Sequence, residues 1–157
     1  MAEPFDDSKS VKHSAHYNLP KTGNVFVNSQ NYALHWRYVF PSEDVKPSLL
    51  LFWIHGYTGH VNGPVVKDFT ERLSKRGCVV VLIDLQGHGY SEGERALMYS
   101  HTHMVSDTED FIGHVRSWEK FNGSNCLTSN LSESQKEILK SIPYFVQGQV
   151  SVVTNAN

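Results

Sequence analysis

Cysteine is scarce: the 157-residue chain holds two, Cys78 and Cys126. Neither belongs to a Cys-x-x-Cys or other metal-ligand spacing, and two isolated residues make no disulfide framework. A reducing interior is therefore the default reading. A surplus of one charge is missing too, since 14 basic residues against 16 acidic ones leave a net charge of −2. The Lys and Arg residues are scattered, which speaks against a nucleic-acid or anionic-lipid footprint. No apolar run approaches the roughly 20 residues of a membrane span. The opening stretch, Met1 to Ser10, is acidic and polar and lacks the basic and apolar blocks of a secretory signal, so a cytoplasmic location is expected. No internal repeat occurs, and this length leaves room for one domain with a real core.

What the chain does have is an unbroken apolar run, Leu49 to Ile54, that ends abruptly in His55-Gly56-Tyr57. Six apolar residues with no polar face read as a strand covered on both sides, the habit of parallel sheets. Ligand chemistry in open α/β sheets collects at the carboxyl ends of such strands. After a glycine-rich turn, Val65, Val66, Phe69 and Leu73 recur at helical spacing as far as Arg76, and Gly77 stands where a helix-terminal glycine belongs. Val79 to Ile83 is a second buried strand, so strand, helix and strand form a βαβ unit with parallel pairing.

The flanks complete an α/β reading with a mostly parallel sheet. Met1 to Asn24 is a polar lead-in, expected to be disordered or a loosely attached arm. Val25 to Val27, a turn at Asn28 to Asn31, and Tyr32 to Val39 predict an antiparallel hairpin in which Leu34, Trp36 and Tyr38 face inward and His35 and Arg37 outward. Asp84 to Arg95 carries three glycines between Gly87 and Gly93 and must be a loop. A helix is predicted from about Ser106, as its cap, to Lys120, with Phe111, Val115 and Trp118 as its stripe. Asn122 to Ser134 reads as surface linker and Glu133 to Ser141 as a short helix. Tyr144 to Val146 reads as a third buried strand, ended by Gly148.

Four of these stretches carry a resemblance: HGYTGH at His55 to His60, DLQGHGYSEGER at Asp84 to Arg95, Asp107 in the following helix, and PYFVQGQ at Pro143 to Gln149. From Leu49 to Gln149 the chain is similar to the first half of an α/β-hydrolase. Within that fold it most resembles the monoacylglycerol lipase and lysophospholipase group, filed with the serine aminopeptidase S33 domain. The resemblance implies lipid metabolism: a serine hydrolase acting on a small-molecule lipid ester, with no cofactor and no metal. It implies that the backbone N–H of Tyr57, supported by His55 and Gly56, is an oxyanion donor, although a plain tight turn explains the same residues. It also implies an architectural role for Gly87, His88, Gly89, Ser91, Glu92, Gly93 and Arg95. A metal reading of His55, His60 and His88 fails, because three histidines on separate loops lack ligand spacing. Glu92 and Arg95 are candidates for a loop-pinning pair, and Asp84 and Asp107 are expected to be caps or structural partners.

The pattern breaks after Gln149. A family member continues into Ser-x-Gly, the elbow that presents the nucleophile. Residues 150–157 instead read Val-Ser-Val-Val-Thr-Asn-Ala-Asn, a non-family tail in which Ser151 is one position late and lacks the following glycine. The expected fold is thus a partial α/β-hydrolase domain over residues 25–149, truncated at the elbow, with no catalytic residue identifiable and activity absent. The alternatives are a non-catalytic or regulatory relative and a gene-model fragment, since Val-Ser is also what the intron donor GTGAGT encodes in frame. Loss of the elbow helix is expected to leave Tyr144 to Val146 with an uncovered face or edge. Nothing in the sequence supports membrane-surface contact or speaks to oligomeric state.

Overall fold

Two strands made of six consecutive apolar residues set the centre of the sheet. In the computed structural model, which describes residues 24–57, 59–97, 100–118 and 127–148, these are β3 (Leu49–Ile54) and β4 (Cys78–Ile83), paired in parallel from Leu49 opposite Cys78 to Ile54 opposite Ile83. Every residue of β4 is buried. The crossover between them is α1 (Pro64–Ser74). Upstream lie β1 (Asn24–Val27) and β2 (Ala33–Val39), and downstream α2 (His101–Ser117), β5 (Leu127–Thr128), α3 (Glu133–Ser141) and β6 (Tyr144–Gly148). The sheet runs β5-β1-β2-β4-β3-β6, antiparallel over its first three pairings and parallel over its last two.

Each face of the sheet carries its own apolar layer. Phe26, Leu34, Trp36, Leu50, Phe52, Val79, Val81 and Ile83 meet Phe111 and Val115 of α2 and Leu139 of α3 on one face. On the other, Trp53, Cys78, Val80 and Leu82 meet Val61 and, on α1, Val66 and Leu73. The βαβ unit, the hairpin, the loop from Asp84 and the helix over Glu133–Ser141 follow the sequence expectation. The polar lead-in at 1–23 and the tail with Ser151 lie outside the described residues.

Five expectations need correction. Helix α1 turns Val66, Thr70, Leu73 and Ser74 toward the sheet, the i, i+4, i+7, i+8 row, so Val65 is 80% exposed and Phe69 lies at the edge of the contact. Each precedes an inward position by one residue and is therefore rotated about 100° from it. Helix α2 begins at His101, where Ser100 Oγ accepts from Thr102 N at 3.1 Å, and Ser106 is an interior residue. Met104 packs on the core two residues before Ser106, which holds the first turn in the helix. The stretch read as linker contains β5, held against β1 through Val25 and Phe26. His35 is buried rather than facing solvent, for a reason given below. Finally, β6 forms in register with β3, Leu50 opposite Tyr144 through Ile54 opposite Gly148, but all five residues are exposed, since among the described residues β6 has no neighbour on its other side.

A polar brace ties the hairpin to α2. The turn residue Asn28 is fully buried; its Oδ1 accepts from Tyr32 N at 2.8 Å and its Nδ2 donates to Asp107 Oδ2 at 2.8 Å. Burial raises the Asp107 pKa, only partly offset by the Asn28 bond. A carboxyl whose folded pKa is raised favours the fold below its unfolded value, and that contribution is lost as pH rises through the folded one. Asp107→Asn keeps an acceptor for Asn28 and removes the charge. The variant is expected to melt above the parent at pH 7 and to lose that advantage at about pH 3–4, as read by thermal melts monitored by circular dichroism.

Candidate active site

Because Ile54 and Ile83 are register partners, the residues that follow them emerge side by side at one end of the sheet. His55 leaves β3 and Asp84 leaves β4. This is the carboxyl edge of the parallel strands, where the fold gathers polar groups. Gly148, at the end of β6, is the register partner of Ile54, so β6 ends beside the His55 turn.

His55 is buried, and both of its ring nitrogens are occupied. Nε2 accepts from Leu85 N at 2.9 Å, which places the proton on Nδ1, and Nδ1 donates to Gly56 O at 2.8 Å. Burial lowers its pKa, so the ring is held neutral. Gly59 N donates to the same Gly56 oxygen at 2.9 Å, closing the turn. Two donors on one carbonyl fix the plane of the Gly56–Tyr57 peptide. In a trans peptide the N–H lies antiparallel to the C=O, so the direction of Tyr57 N–H is fixed with it. A Cβ on Gly59 would stand 3.0 Å from Gly56 O and 3.1 Å from His55 Cβ, which is why the turn closes on glycine.

The second loop is organised by Asp84, fully buried on side chain and backbone alike. Its Oδ1 accepts from Val61 N at 2.8 Å; its Oδ2 accepts from His35 Nδ1 at 2.9 Å and from Tyr90 N at 3.1 Å. Burial alone would raise its pKa, but these three bonds outweigh it and the pKa is lowered. His35 is therefore drawn inward as a carboxylate partner. Gly89 has φ +50, and an added Cβ would lie 2.2 Å from the Asp84 carboxyl. Ser91 Oγ accepts from His35 N and donates to Asp84 O.

Glu92 and Arg95 each pin the loop separately. Glu92 Oε2 accepts from Ala33 N at 2.8 Å, and Arg95 donates to Gly89 O at 2.9 Å. At Gly87, a Cβ would fall 2.3 Å from Glu94 O. His88 is buried, with Nδ1 donating to Gln86 O at 2.9 Å and its ring centroid 5.1 Å from that of His55. His60 stands apart, its Nδ1 accepting from Asn62 N at 3.1 Å. Among the described residues no group of three or more His, Cys, Asp and Glu is placed to hold a metal ion, and no helix is long and apolar enough to cross a membrane.

Sequence reasoning located the two loops but missed His35, Leu85 N–H and Val61 N–H as partners. The available signal was Asp84 itself, a carboxylate directly after a wholly apolar strand. Such a charge has to collect donors from whatever packs around it. The contribution of Asp84 is present above the ordinary aspartate pKa and is lost as pH falls through the lowered folded value. Asp84→Asn is expected to cost about 2–3 kcal/mol at neutral pH and to flatten the acid limb of a stability-versus-pH profile measured by urea unfolding. Gly89→Ala, strained by both φ and the carboxyl, is expected to cost at least about 3 kcal/mol in the same measurement.

The comparisons with known proteins agree with this architecture. Est1E from Butyrivibrio proteoclasticus, solved with ferulic acid bound, superposes with a TM-score of 0.55 at 16% identity, over 78% of this chain and 41% of its own. A soluble variant of monoglyceride lipase from Saccharomyces cerevisiae, in complex with a substrate analogue, gives a TM-score of 0.54 at 16% identity, over 94% of this chain and 38% of its own. At these identities the likeness is one of fold, and the chain spans about two fifths of the length of either relative. No curated protein matches the chain. The family model described as "Serine aminopeptidase, S33" matches residues 45–128, more than half of the sequence and both loops of the site. With strand order, loop positions and family model in agreement, this chain belongs to the serine aminopeptidase S33 family and has the fold of the N-terminal portion of an α/β-hydrolase.

Proposed function

We propose that this chain carries the oxyanion-binding part of a serine hydrolase site that cleaves carboxylic esters, with monoacylglycerols or lysophospholipids as the substrate class. The observation that carries the reading is the Gly56 carbonyl, held by both His55 Nδ1–H and Gly59 N–H. A donor fixed before the reaction stabilises charge that appears only in the tetrahedral transition state, an effect worth about 3–4 kcal/mol per donor. In this reading Tyr57 N–H is that donor. His55 is a positioning residue and the Asp84 loop is its foundation. A serine nucleophile attacks the ester carbonyl, the oxygen takes up negative charge facing Tyr57 N–H, and the alcohol leaves as the acyl-enzyme forms.

Ser91 is not proposed as that nucleophile, because its hydroxyl is engaged by His35 N and Asp84 O. The nucleophile, acid and base are assigned to residues outside the described part, and residues 1–157 alone are proposed to form no acyl-enzyme. A second reading, a non-catalytic relative that binds or regulates, is favoured by Val150-Ser151-Val152 standing where Ser-x-Gly is expected.

Fluorophosphonate labelling separates the two. The 157-residue chain is compared with a chain extended at Gln149 by a Ser-x-Gly elbow and the second half of a hydrolase-fold relative. Labelling and ester turnover by the extended chain alone support the hydrolase reading, whereas silence from a folded extended chain sinks it. Tyr57 is the second residue of the turn closed by Gly59 N–H and Gly56 O, a position that accepts proline. Tyr57→Pro in the extended chain removes the proposed donor and is expected to lower kcat about 10²–10³-fold, with circular dichroism checking that the variant is folded. Tyr57→Ala, which keeps the N–H, is expected to retain most of the activity.

A further inference from the structure

Two Asn-Gly pairs occur in the chain, Asn62-Gly63 and Asn122-Gly123. The second lies outside the described residues. The first stands in the segment that joins the His55 turn to α1, directly after the Val61 N–H that binds Asp84. Glycine carries no side chain to hinder its own nitrogen as it approaches the asparagine carbonyl before it. In a folded protein that approach is blocked when the glycine N–H is already held in a helix or ladder. Here it is not held. Gly63 is the N-cap of α1, in extended backbone with φ −67 and ψ 149, and its N–H has no hydrogen-bond partner among the described residues. A Cβ built on Gly63 meets only Val66 Cγ2, at 3.8 Å, so the space beside it is open.

The asparagine side chain is engaged by a cation from β2. Arg37 donates to Asn62 Oδ1 at 3.1 Å and to Val61 O at 3.3 Å. A guanidinium can only donate, so it is the oxygen of the amide that faces it. A charged donor on Oδ1 draws electron density from Cγ and stabilises the oxyanion that forms when Cγ becomes tetrahedral. The amide nitrogen, which would leave, has no partner among the described residues.

We infer that Asn62 is a site of spontaneous deamidation in the folded protein, with Arg37 as the group that activates it. Gly63 N attacks Cγ of Asn62 and gives up its proton to water or hydroxide. The bond from N to Cγ forms, the bond from Cγ to Nδ2 breaks, and Nδ2 leaves as ammonia with a proton from water. Water then opens the resulting succinimide. Opening at Cγ gives aspartate; opening at the main-chain carbonyl gives isoaspartate. The first product sets a carboxylate beside Arg37 and before α1, whose first turn has no acidic residue and whose cap has no side-chain bond. The second inserts the β-carbon into the main chain next to Val61, one of the three donors to Asp84.

The test incubates the 157-residue chain at neutral pH, folded or unfolded in guanidinium chloride, and follows each asparagine by peptide mapping. Conversion raises the mass of the Asn62 peptide by the difference between O and NH, and isoaspartate is counted by enzymatic methylation. The folded chain is expected to convert at Asn62. Arg37→Met, checked for folding by circular dichroism, is expected to slow that conversion about fivefold or more in the folded state and to leave the unfolded rate unchanged. Should that variant not fold, Arg37→Gln, which removes the charge but can still donate to Val61 O, is read in the same way. A folded chain in which Asn62 stays intact while the unfolded chain converts there overturns the inference. So does conversion confined to Asn122, or an equal folded-state rate with and without the Arg37 charge.

Discussion

The carboxylate of Asp84 is the interaction on which the rest of this end of the molecule depends. It follows six apolar residues directly and lies where a bare charge would be costly. The fold answers with three donors from three different places: His35 on β2, Val61 in the segment leading to α1, and Tyr90 in its own loop. One anion thus fastens the antiparallel hairpin, the first crossover and the glycine loop to the end of β4. His55 performs the companion task across the β3–β4 seam, joining Leu85 N–H to the Gly56 carbonyl with a single neutral ring. Together they convert two glycine-rich loops, flexible by composition, into fixed backbone.

This division of labour makes His55 a strut rather than a base. An imidazole used as a base needs one nitrogen free to take a proton. In His55 one nitrogen already accepts and the other already donates, and burial discourages a second proton. His35 is tied down differently, its Nδ1 donating to the Asp84 carboxylate. Its backbone N–H is bound to Ser91, so the same residue ties main chain and side chain to the Asp84 loop.

Much of this was legible in the sequence because long apolar runs state their own burial. Leu49–Ile54 and Cys78–Ile83 could only be inner strands, and the helical spacing between them made the parallel crossover unavoidable. The glycines flagged the loops. What stayed hidden depended on partners distant in sequence. His35 looks like the outward face of an alternating strand until Asp84, 49 residues later, is placed beside it. The inward row of α1 is hidden in the sequence because Thr70 and Ser74, polar by name, bury themselves by donating to Lys67 O and Glu71 O, while the apolar Val65 and Phe69 lie off that row. The start of α2 is hidden in the sequence because histidine and threonine mask a helical turn that the Ser100 cap and Met104 packing secure. Tyr144 to Val146 forms the strand its composition predicts, yet burial depends on a neighbour, and β6 has one on a single side among the described residues.

The contact between Gly89 and Asp84 has a consequence for how such a sequence can drift. The α-carbon of residue 89 sits where a methyl group would overlap the carboxyl of residue 84. A mutation that adds a side chain at 89 therefore calls for the simultaneous loss of the acid at 84. That loss withdraws the acceptor from residues 35, 61 and 90 together. Residues 84 and 89 are thus coupled through one contact, and a change at either bears on the hairpin, the first crossover and the glycine loop together.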